Sequence, residues 1–556
     1  MINISADKGK FIIQCPYFKN DKIKDIPGKR WHNSKKLYMA PYSRKAVNII
    51  LSLIDDNMAV VDEKAKVLID VVATHDISQD AFPDYKFKTE PMPHQQKALE
   101  FLWNKRYAAL FMAMRTGKTK VSIDWACMLH QEKKIKALLI FCPISVRGSW
   151  ESQIHEHGPA DILVGRYDLS KTSGKTAQEK FCKADHLYKA MIVGIESMAA
   201  GGASEYVRQF IVDHKELMCV VDESHLIKTH DATRTDVITM LGSLCKYRVI
   251  LTGTPIASNI LDLYSQFRFL HDDIIMYPDY YTFKAQYVIT GGYENKQIIG
   301  YMNIDELMSN VSPYIYQVNA DDVIKLPPKM YQIREVELPG KIRSLYNQIS
   351  THKVIGYNDK ELIISNPLDR LTRLSLLTNG IMTTGENGDF EYYWVHNAKI
   401  NELMNLIEEA PIPTVIWTTR RYELKMIREA LNKKGIQTVE IHGDVSENDR
   451  IKAVEDFQSG KVNYLISNTA VGGTGIKLSR AKMLVYMSNS FKYVDRKQSE
   501  ERATDFQNPD SSVLVVDIIA TNTVDDGVIQ PALKAKQDVA TYVNGEIGKL
   551  KLLEGL

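Results

Sequence analysis

The sequence lacks the marks of a secreted, disulfide-bonded or membrane-spanning protein. Among its 556 residues, no run approaches the roughly 18 consecutive apolar residues that cross a bilayer, and residues 1–10 contain no signal-peptide core. The six cysteines form no CxxC pair, which argues against a disulfide framework or a zinc site and favours a reducing compartment. We therefore expect a cytoplasmic protein.

Low-complexity tracts and short-period repeats are also missing. Hydrophobic residues make up 44% of the chain and charged residues 25%, which are the proportions of a folded globular protein and exclude a mostly disordered one. At roughly 100–200 residues per domain, the length predicts about three to five folded units.

The net charge of +2 is unevenly distributed. Residues 1–50 hold eleven Lys and Arg against three Asp, a balance of +8, so the remaining residues carry −6. A basic head on a mildly acidic body favours contact with a polyanion at the N-terminus. An ordinary solvated lysine face explains the charge equally well.

The first residues predict a small basic α+β module over 1–55, followed by a linker over 56–90. Within the module, residues 11–15 and 35–40 are typical of strands, and a short helix is expected from Ser43.

Two later stretches, 91–270 and 396–540, alternate helices with short, fully apolar strands. Continuous apolar strands separated by helices predict parallel sheets covered on both faces, so the fold class is α/β with two doubly wound lobes. A mostly helical segment is predicted between them over 271–395, and a C-terminal tail over 541–556. The predicted strands are 137–141, 190–193, 218–221 and 247–251 in the first lobe, and 413–417, 437–441, 463–466, 483–486 and 512–517 in the second.

A phosphate-binding loop is predicted in the run MRTGKT, directly before a helix. Backbone amides at a helix N-terminus favour a phosphate, Lys118 can reach the β and γ phosphates, and the Thr119 hydroxyl can hold Mg²⁺. Thr116 and Gly117 complete the candidate loop. The full pattern has a glycine where this chain has Met112, so the loop alone is a moderate signal.

A pair of acids strengthens this prediction. About 100 residues after the loop, an apolar strand ends in Asp222 and Glu223. Carboxylates at the tip of a buried parallel strand lie where ligands bind in open α/β sheets. Asp222 would hold magnesium through water, and Glu223 would orient or deprotonate the attacking water. A solvated acidic turn is the alternative.

Two weaker signals accompany these runs. The hydroxyls of Thr252 and Thr254, after the next strand, would lie beside the acids and report the nucleotide state. Gln95, at the start of a helix, can pair with both the donor and the acceptor of an adenine edge, so it is the candidate base reader.

Taken in order, these motifs resemble the superfamily 2 helicase-like ATPases, and among them the Snf-type translocases of double-stranded DNA. The resemblance covers residues 91–540. It rests in the first lobe on FCPIS from Phe141 with Trp150 and Glu151, DESH from Asp222, LTGTP from Leu251 and, at the link between the lobes, LPPK from Leu326.

The second lobe carries HG from His442, SNTAVGGTGIKL from Ser467 and QSEER from Gln498. The resemblance implies two RecA-like lobes with ATP between them. It further implies nucleotide contacts from Gly473, Gly475, Gln498 and the arginine finger Arg502, and DNA contacts from Pro143, Ser145, Thr469 and Gly472.

The N-terminal module is similar to the HARP-type substrate-recognition module of annealing helicases, through IPGKRW from Ile26 and LYMAP from Leu37. Lys29, Arg30 and Trp31 are then the candidate nucleic-acid contacts, because basic and aromatic side chains together suit phosphates and unstacked bases. Equally, Trp31 and Tyr38 could form the module's own small core.

The chain departs from the family pattern at three places. Ala113 and Arg115 stand where the loop usually has an acidic residue and a glycine, and Tyr316-Gln317 replaces a basic pair. The third departure is Asp505, which replaces the second arginine of the last motif and cannot stabilise negative charge on a transferred phosphoryl group. Either Arg502 serves alone, or Arg496 substitutes, or turnover is slow; we favour Arg502.

We therefore expect an ATP- and Mg²⁺-dependent DNA translocase, acting as a monomeric motor, that remodels branched or forked DNA. Its expected catalytic residues are Lys118, Asp222, Glu223 and Arg502. Replication or recombination proteins are its expected partners. The alternatives are an RNA or single-strand helicase of the same superfamily and an ATP-gated DNA-binding scaffold with little hydrolysis. The compact chain favours a phage or bacterial protein.

Overall fold

The computed structural model describes residues 2–7, 10–15, 21–24, 26, 29–41, 44–66, 69, 80–167, 181, 184, 188–199, 201–277, 279–292, 294, 297–319, 323, 329–357, 360–384, 391–469, 476, 478–503, 512–538 and 541. The chain divides into two compact units between Val323 and Ile324. The first unit contains the N-terminal module and one large sheet, and the second contains the other large sheet. Within the described residues, no helix combines the length and the apolar character that spanning a membrane requires.

The N-terminal module is a five-stranded sheet in the order β3-β4-β2-β1-β5. Its strands and helices are β1 (Ile2–Asp7), β2 (Lys10–Gln14), α1 (Asp21–Lys24), β3 (Arg30–His32), β4 (Leu37–Pro41), α2 (Arg44–Asp55) and β5 (Ala59–Val61). Helix α2 buries Ala46, Val47, Ile50 and Leu53, a helical spacing of apolar residues, in the same core as alternate residues of β2. The predicted α+β character is confirmed.

The first large sheet has seven strands in the order β14-β6-β11-β10-β7-β9-β8, and all neighbouring pairs are parallel. In chain order, the strands of this part of the first unit are β6 (Tyr107–Met112), β7 (Ala137–Cys142), β8 (Leu163–Arg166), β9 (Lys189–Gly194), β10 (Leu217–Asp222), β11 (Tyr247–Leu251), β12 (Val288–Gly291), β13 (Gln297–Tyr301) and β14 (Ile315–Val318). Strands β12 and β13 form a separate antiparallel hairpin.

The helices of the first unit alternate with these strands. They are α3 (Pro93–Trp103), α4 (Lys118–Gln131), α5 (Arg147–His157), α6 (Gly201–His214), α7 (Thr233–Ser243), α8 (Asp262–Leu270), α9 (Asp272–Ile275), α10 (Tyr280–Tyr287) and α11 (Ile304–Val311). Every residue of β6, β7 and β9 is buried, as expected for strands between two helical layers. The predicted doubly wound parallel sheet is confirmed.

The second large sheet has six strands in the order β15-β24-β23-β20-β22-β21, again all parallel. The strands of the second unit are β15 (Lys329–Val336), β16 (Val354–Tyr357), β17 (Lys360–Ile363), β18 (Ile381–Thr384), β19 (Glu391–Trp394), β20 (Thr414–Thr418), β21 (Thr438–Ile441), β22 (Tyr464–Asn468), β23 (Met483–Tyr486) and β24 (Val513–Ala520). The helices are α12 (Gly340–Thr351), α13 (Pro367–Thr378), α14 (Ala398–Glu409), α15 (Arg421–Lys433), α16 (Glu447–Gln458) and α17 (Tyr493–Glu501).

The segment over 271–395, predicted to be mostly helical, contains in its described residues five helices, α9 to α13, but also eight strands that were not predicted. Strands β12 to β19 all lie in this segment, in three hairpins and two single strands. Strand β14 joins the first large sheet and β15 joins the second, and the division between the units falls between them. The error has a physical reason: short strands with polar exposed positions lack the continuous apolar runs that marked the strands of the lobes.

Candidate nucleotide-binding site

The loop between β6 and α4 has the geometry of an anion-binding turn. Gly117 ends it with a left-handed φ of +88°, and α4 begins at the next residue. A Cβ atom built on Gly117 would lie 2.1 Å from Nε2 of Gln95, so no other residue fits there without displacing that side chain. The loop therefore brings backbone amides to a helix N-terminus, where phosphates bind.

The buried side chain of Lys118 lies within this loop. Its Nζ donates hydrogen bonds to the carbonyl oxygens of Met112, at 2.8 Å, and Ala113, at 3.2 Å. The Thr116 hydroxyl donates to the same Ala113 oxygen at 2.8 Å. The ammonium is thus hydrogen-bonded despite its burial, as a buried charge requires.

The departures from the phosphate-loop pattern have a structural explanation. Met112 does not have a positive φ, and its side chain is buried in the core of the first unit, so glycine is not required at that position. Arg115 does have a positive φ, of 64°, which is the conformation that favours glycine. The position where the family usually has glycine is therefore left-handed in this chain, with an arginine in it.

Helix α3 is hydrogen-bonded to the loop through its first turn. Nε2 of His94, at 2.8 Å, and Nε2 of Gln95, at 3.2 Å, both donate to the carbonyl oxygen of Thr116. Oε1 of Gln95 accepts from the backbone amide of Met92, and the carbonyl of His94 accepts from the Tyr316 hydroxyl at 2.9 Å. Gln95, the predicted base reader, is therefore hydrogen-bonded to the phosphate loop.

The carboxylate of Asp222 lies at the tip of β10, where the sequence predicts it. Oδ1 accepts from the backbone amide of Glu223 at 2.9 Å, and Oδ2 accepts from the indole Nε1 of Trp150 at 2.8 Å. Burial and then the neighbouring charge of Glu223 raise the pKa of Asp222 to about 6, against the opposing effects of Trp150 and Lys118. The influence of Lys118 on this pKa agrees with a single site that contains both residues.

Glu223 has a left-handed backbone, with a φ of 50°. Its Oε2 lies 3.3 Å from Nδ1 of His225, and that nitrogen also lies 3.4 Å from the hydroxyl oxygen of Thr252. Since a strained backbone residue is often found where function requires a particular side-chain direction, the observed φ supports a functional role for Glu223.

The run after β11 meets the phosphate loop. The Thr252 hydroxyl accepts from the backbone amide of Thr254 at 3.0 Å. A Cβ atom built on Gly253 would lie 3.4 Å from the amide nitrogen of Met114 and 3.5 Å from the carbonyl oxygen of Met112. The loop, the acids and this run therefore lie at one edge of the sheet.

Two buried side chains that sequence reasoning missed hold these runs in place. Asp262 accepts at Oδ2 from the backbone amides of Ala257, at 2.7 Å, and Ser258, at 2.6 Å. Gln266 accepts from the Ser224 hydroxyl at 2.7 Å and donates to the carbonyl of Pro255 at 2.7 Å. Both residues are on α8, whose amphipathic pattern gave no signal beyond ordinary packing.

The candidate DNA contacts of the first unit differ in exposure. Ser145 is exposed in a short 3-10 turn, Ile144–Val146, whereas Pro143 is buried. Trp31 is half-buried and its ring centroid lies 4.7 Å from that of buried Tyr38, so the alternative that these rings form the module's own core is supported for Tyr38. Lys29 is half-buried, and the side chain of Arg30 lies outside the described residues.

In the second unit, Gln498 and Arg502 are buried at the C-terminal half of α17 and just beyond it. The carbonyl of Arg502 accepts from the backbone amide of Leu478 at 3.0 Å, which connects the end of the glycine-rich run to the arginine. Thr469 is buried at the end of β22. Gly472, Gly473, Gly475 and Asp505 lie outside the described residues, so their predicted roles stay predictions.

Arg496 is not free to replace a missing arginine finger. Its guanidinium donates to both carboxylate oxygens of Asp517, to Glu500 at 2.7 Å and to Asn489 at 2.9 Å, and its Cζ lies 3.4 Å from the centroid of the Tyr486 ring. All of these contacts are within the second unit and attach α17 to β23 and β24. Arg496 is therefore a structural residue, and Arg502 remains the candidate finger.

Two family descriptions match the chain. Residues 94–379 match the SNF2-related domain, and residues 398–515 match the helicase conserved C-terminal domain.

Two curated relatives and a solved structure are similar to the chain. "Protein CHROMATIN REMODELING 24" of Arabidopsis thaliana is 24% identical over 538 residues, which cover 84% of this chain and 48% of that protein. The Caenorhabditis elegans homolog of "SWI/SNF-related matrix-associated actin-dependent regulator of chromatin subfamily A-like protein 1" is 22% identical and covers 94% of this chain and 73% of that protein. The Sulfolobus solfataricus SWI2/SNF2 ATPase core in complex with dsDNA is 19% identical, with a TM-score of 0.37, and covers 84% of this chain and 96% of that one. This chain thus spans about half the length of the Arabidopsis relative.

Substitution of Gly117 by Ala tests the contact with Gln95. We expect Gly117→Ala to lower the free energy of unfolding by about 1–3 kcal/mol, because the new Cβ both adopts a left-handed backbone and meets the Gln95 amide. In urea denaturation, the double variant with Gln95→Ala should be less destabilised than the sum of the single variants, because the collision is then removed. Strictly additive effects would contradict the contact.

Substitution of Arg496 tests its structural role. We expect Arg496→Met to lower the free energy of unfolding of the second unit by about 3–5 kcal/mol, because buried Asp517 and Glu500 lose their partner. The exposed ion pair between Arg421 and Asp444 provides the control, and Arg421→Met should cost under about 1 kcal/mol. Equal effects of the two substitutions in thermal unfolding would disprove the assignment.

Proposed function

We propose that this chain, which belongs to the SNF2-related family of helicase-like ATPases, hydrolyses ATP and uses the energy to move along duplex DNA. The observation that carries the proposal is the meeting of Lys118, Asp222, Glu223 and Thr252 at one edge of the first large sheet. Ligands bind at this edge in open α/β sheets.

The triphosphate of ATP would be held by the loop before α4. Lys118 now donates to two loop carbonyls, and an anionic phosphate oxygen is the stronger acceptor for an ammonium. Gly117, at the N-terminus of α4, adds no side chain of its own to the loop, whose backbone amides would donate to the phosphates. Gln95, bonded to Thr116 in the same loop, is assigned to the adenine edge.

The residues present also fit Mg²⁺. The half-buried hydroxyl of Thr119 and the carboxylate of Asp222 are hard oxygen donors of the kind that this ion prefers. When bound, Mg²⁺ would neutralise charge on the β and γ phosphates. Asp222 would hold it through water, while Trp150 and the amide of Glu223 fix the orientation of the carboxylate.

We assign Glu223 to the attacking water. Its carboxylate can accept a hydrogen bond from the water and then its proton, and its Oε2 lies 3.3 Å from Nδ1 of His225. Arg502 is assigned to the γ-phosphate, where a guanidinium stabilises the charge that develops during transfer. No second arginine accompanies it, because Asp505 occupies that place in the sequence.

The proposed DNA substrate is branched or forked, of the kind that arises in replication, repair and recombination. Three features support this proposal: the +8 balance of residues 1–50, the exposed Ser145, and the similarity of the N-terminal module to a HARP-type module. The match to the Caenorhabditis elegans relative covers 94% of this chain. The uncovered 6% is fewer than the 90 residues that precede the first α/β lobe, so the match extends into the N-terminal region. Contacts with phosphates would make binding salt-dependent and largely indifferent to sequence.

Substitution of Lys118 tests the ATPase assignment. We expect Lys118→Ala to abolish ATP hydrolysis stimulated by DNA, because the β and γ phosphates lose their cation. Exposed Lys133, just beyond the C-terminal end of the same helix, provides the control, and Lys133→Ala should leave the rate unchanged.

The rates should be measured with single-stranded, duplex, forked and four-way DNA and with duplex RNA. Forked or four-way DNA should stimulate most. Stimulation only by RNA or by single strands would instead favour an unwinding helicase, and full activity of Lys118→Ala would refute the site.

A second candidate function, an ATP-gated DNA-binding scaffold with slow turnover, is favoured by Asp505. A missing arginine finger lowers the rate about 10³–10⁵-fold in other nucleotide hydrolases. If the scaffold is correct, Asp505→Arg should raise the rate constant of hydrolysis by at least tenfold in a single-turnover assay. We expect less than a threefold change, because Arg502 serves alone.

A further inference from the structure

A buried tryptophan is hydrogen-bonded to the proposed metal carboxylate. Trp150 lies in the first turns of α5, is 1% exposed and packs in the core of the first unit. Its indole N–H donates to Oδ2 of Asp222 at 2.8 Å, across 72 residues of sequence. The side chain thus connects the hydrophobic core directly to the nucleotide site.

Burial alone does not account for this bond. Trp125, in α4, belongs to the same core and is 0% exposed, yet its indole N–H has no hydrogen-bond partner among the described residues. The core therefore accommodates a tryptophan without a polar partner. The hydrogen bond from Trp150 is therefore explained by the position of its acceptor, Asp222, and not by a need to satisfy every buried indole N–H.

The two oxygens of Asp222 are held by donors on two different elements. Oδ1 accepts from the amide of Glu223, next in the chain, and Oδ2 accepts from Trp150 on α5. One donor on each oxygen fixes the rotation of the carboxylate about its last bond. Each oxygen keeps a further lone pair for a water molecule of a hydrated ion. Mg²⁺ usually retains several waters and requires near-octahedral geometry, so the rotation of an outer carboxylate affects its binding.

We propose that Trp150 is a positioning residue for the magnesium-nucleotide complex, acting through Asp222. The proposal rests on the proposed function, since it requires that Asp222 serves Mg²⁺. Removal of a partner that orients a direct metal ligand typically lowers metal affinity 10–100-fold, and because Asp222 acts through water we expect an effect at the lower end of this range. The indole N–H should therefore strengthen nucleotide binding only when the metal is present.

The test compares Trp150→Phe with Trp125→Phe in the full chain. Each substitution removes the same atoms from the same core, and only the first removes a hydrogen bond to Asp222. A fluorescent ADP analogue is titrated with Mg²⁺ and again with EDTA, and Mn²⁺ binding to the ADP complex is followed by electron paramagnetic resonance. For Trp150→Phe we expect metal-dependent nucleotide affinity to fall about tenfold or more, with affinity in EDTA unchanged. Trp125→Phe should match the unaltered protein in both titrations.

If Trp150→Phe fails to fold, a residue of the same shape as tryptophan takes its place in the test. Incorporation of 3-benzothienylalanine at position 150 keeps the bicyclic ring and replaces N–H by sulfur, so packing is retained while the hydrogen bond is lost. The same loss of metal-dependent affinity is expected, and full affinity with this residue would overturn the proposal.

Asp222→Asn separates the two proposals. If Asp222→Asn loses metal-dependent binding and Trp150→Phe keeps it, the role of Trp150 is refuted and the proposed function stands. If the unaltered protein and Asp222→Asn bind the nucleotide equally with and without metal, the proposed metal site fails, and the role of Trp150 fails with it.

Discussion

The parallel pairing of β6, β11 and β10 is the constraint on which the rest of the first unit depends. Its register places Leu110 beside Leu251, and Leu251 beside Asp222. Because the three strands run in the same direction, the segment that follows each strand leaves the sheet at the same edge. The phosphate loop, the run containing Thr252 and the acids are therefore neighbours, although more than 100 residues of sequence separate the first from the last.

The sequence predicts this arrangement well because local patterns determine it. Fully apolar strands identify the sheet, and a polar residue at the end of a strand must lie at its edge. Contacts of single side chains are different. The bond from Trp150 to Asp222 and the pairing of Arg496 with Asp517 depend on which elements pack together in three dimensions, and nothing in the surrounding residues indicates the partner. The strands within 271–395 were not predicted for a related reason, since short strands of this kind are defined by their neighbours more than by their own composition.

In the second unit, helix α17, which carries Gln498, is attached to its sheet by buried ion pairs. Three charged side chains, Arg496, Glu500 and Asp517, are buried together and attach α17 to the sheet. Lys329 and Tyr331, at the start of β15, also contact Glu500. Buried ion pairs are weak sources of net stability, but removal of one member leaves an uncompensated charge. Such a network holds α17, and with it the carbonyl of Arg502, in one orientation against β15, β23 and β24.

The position of β15 affects how the protein is made. It is the first strand of the second large sheet to leave the ribosome, and β24, its neighbour among the described strands of that sheet, is the last. Nearly 180 residues must be synthesised between the two before the pair can form. Pairings between residues so far apart form slowly, and an unpaired strand with exposed Met330 and Ile333 is a site for aggregation in the meantime. Nascent chains of this protein should therefore depend on chaperones until residue 520 has emerged.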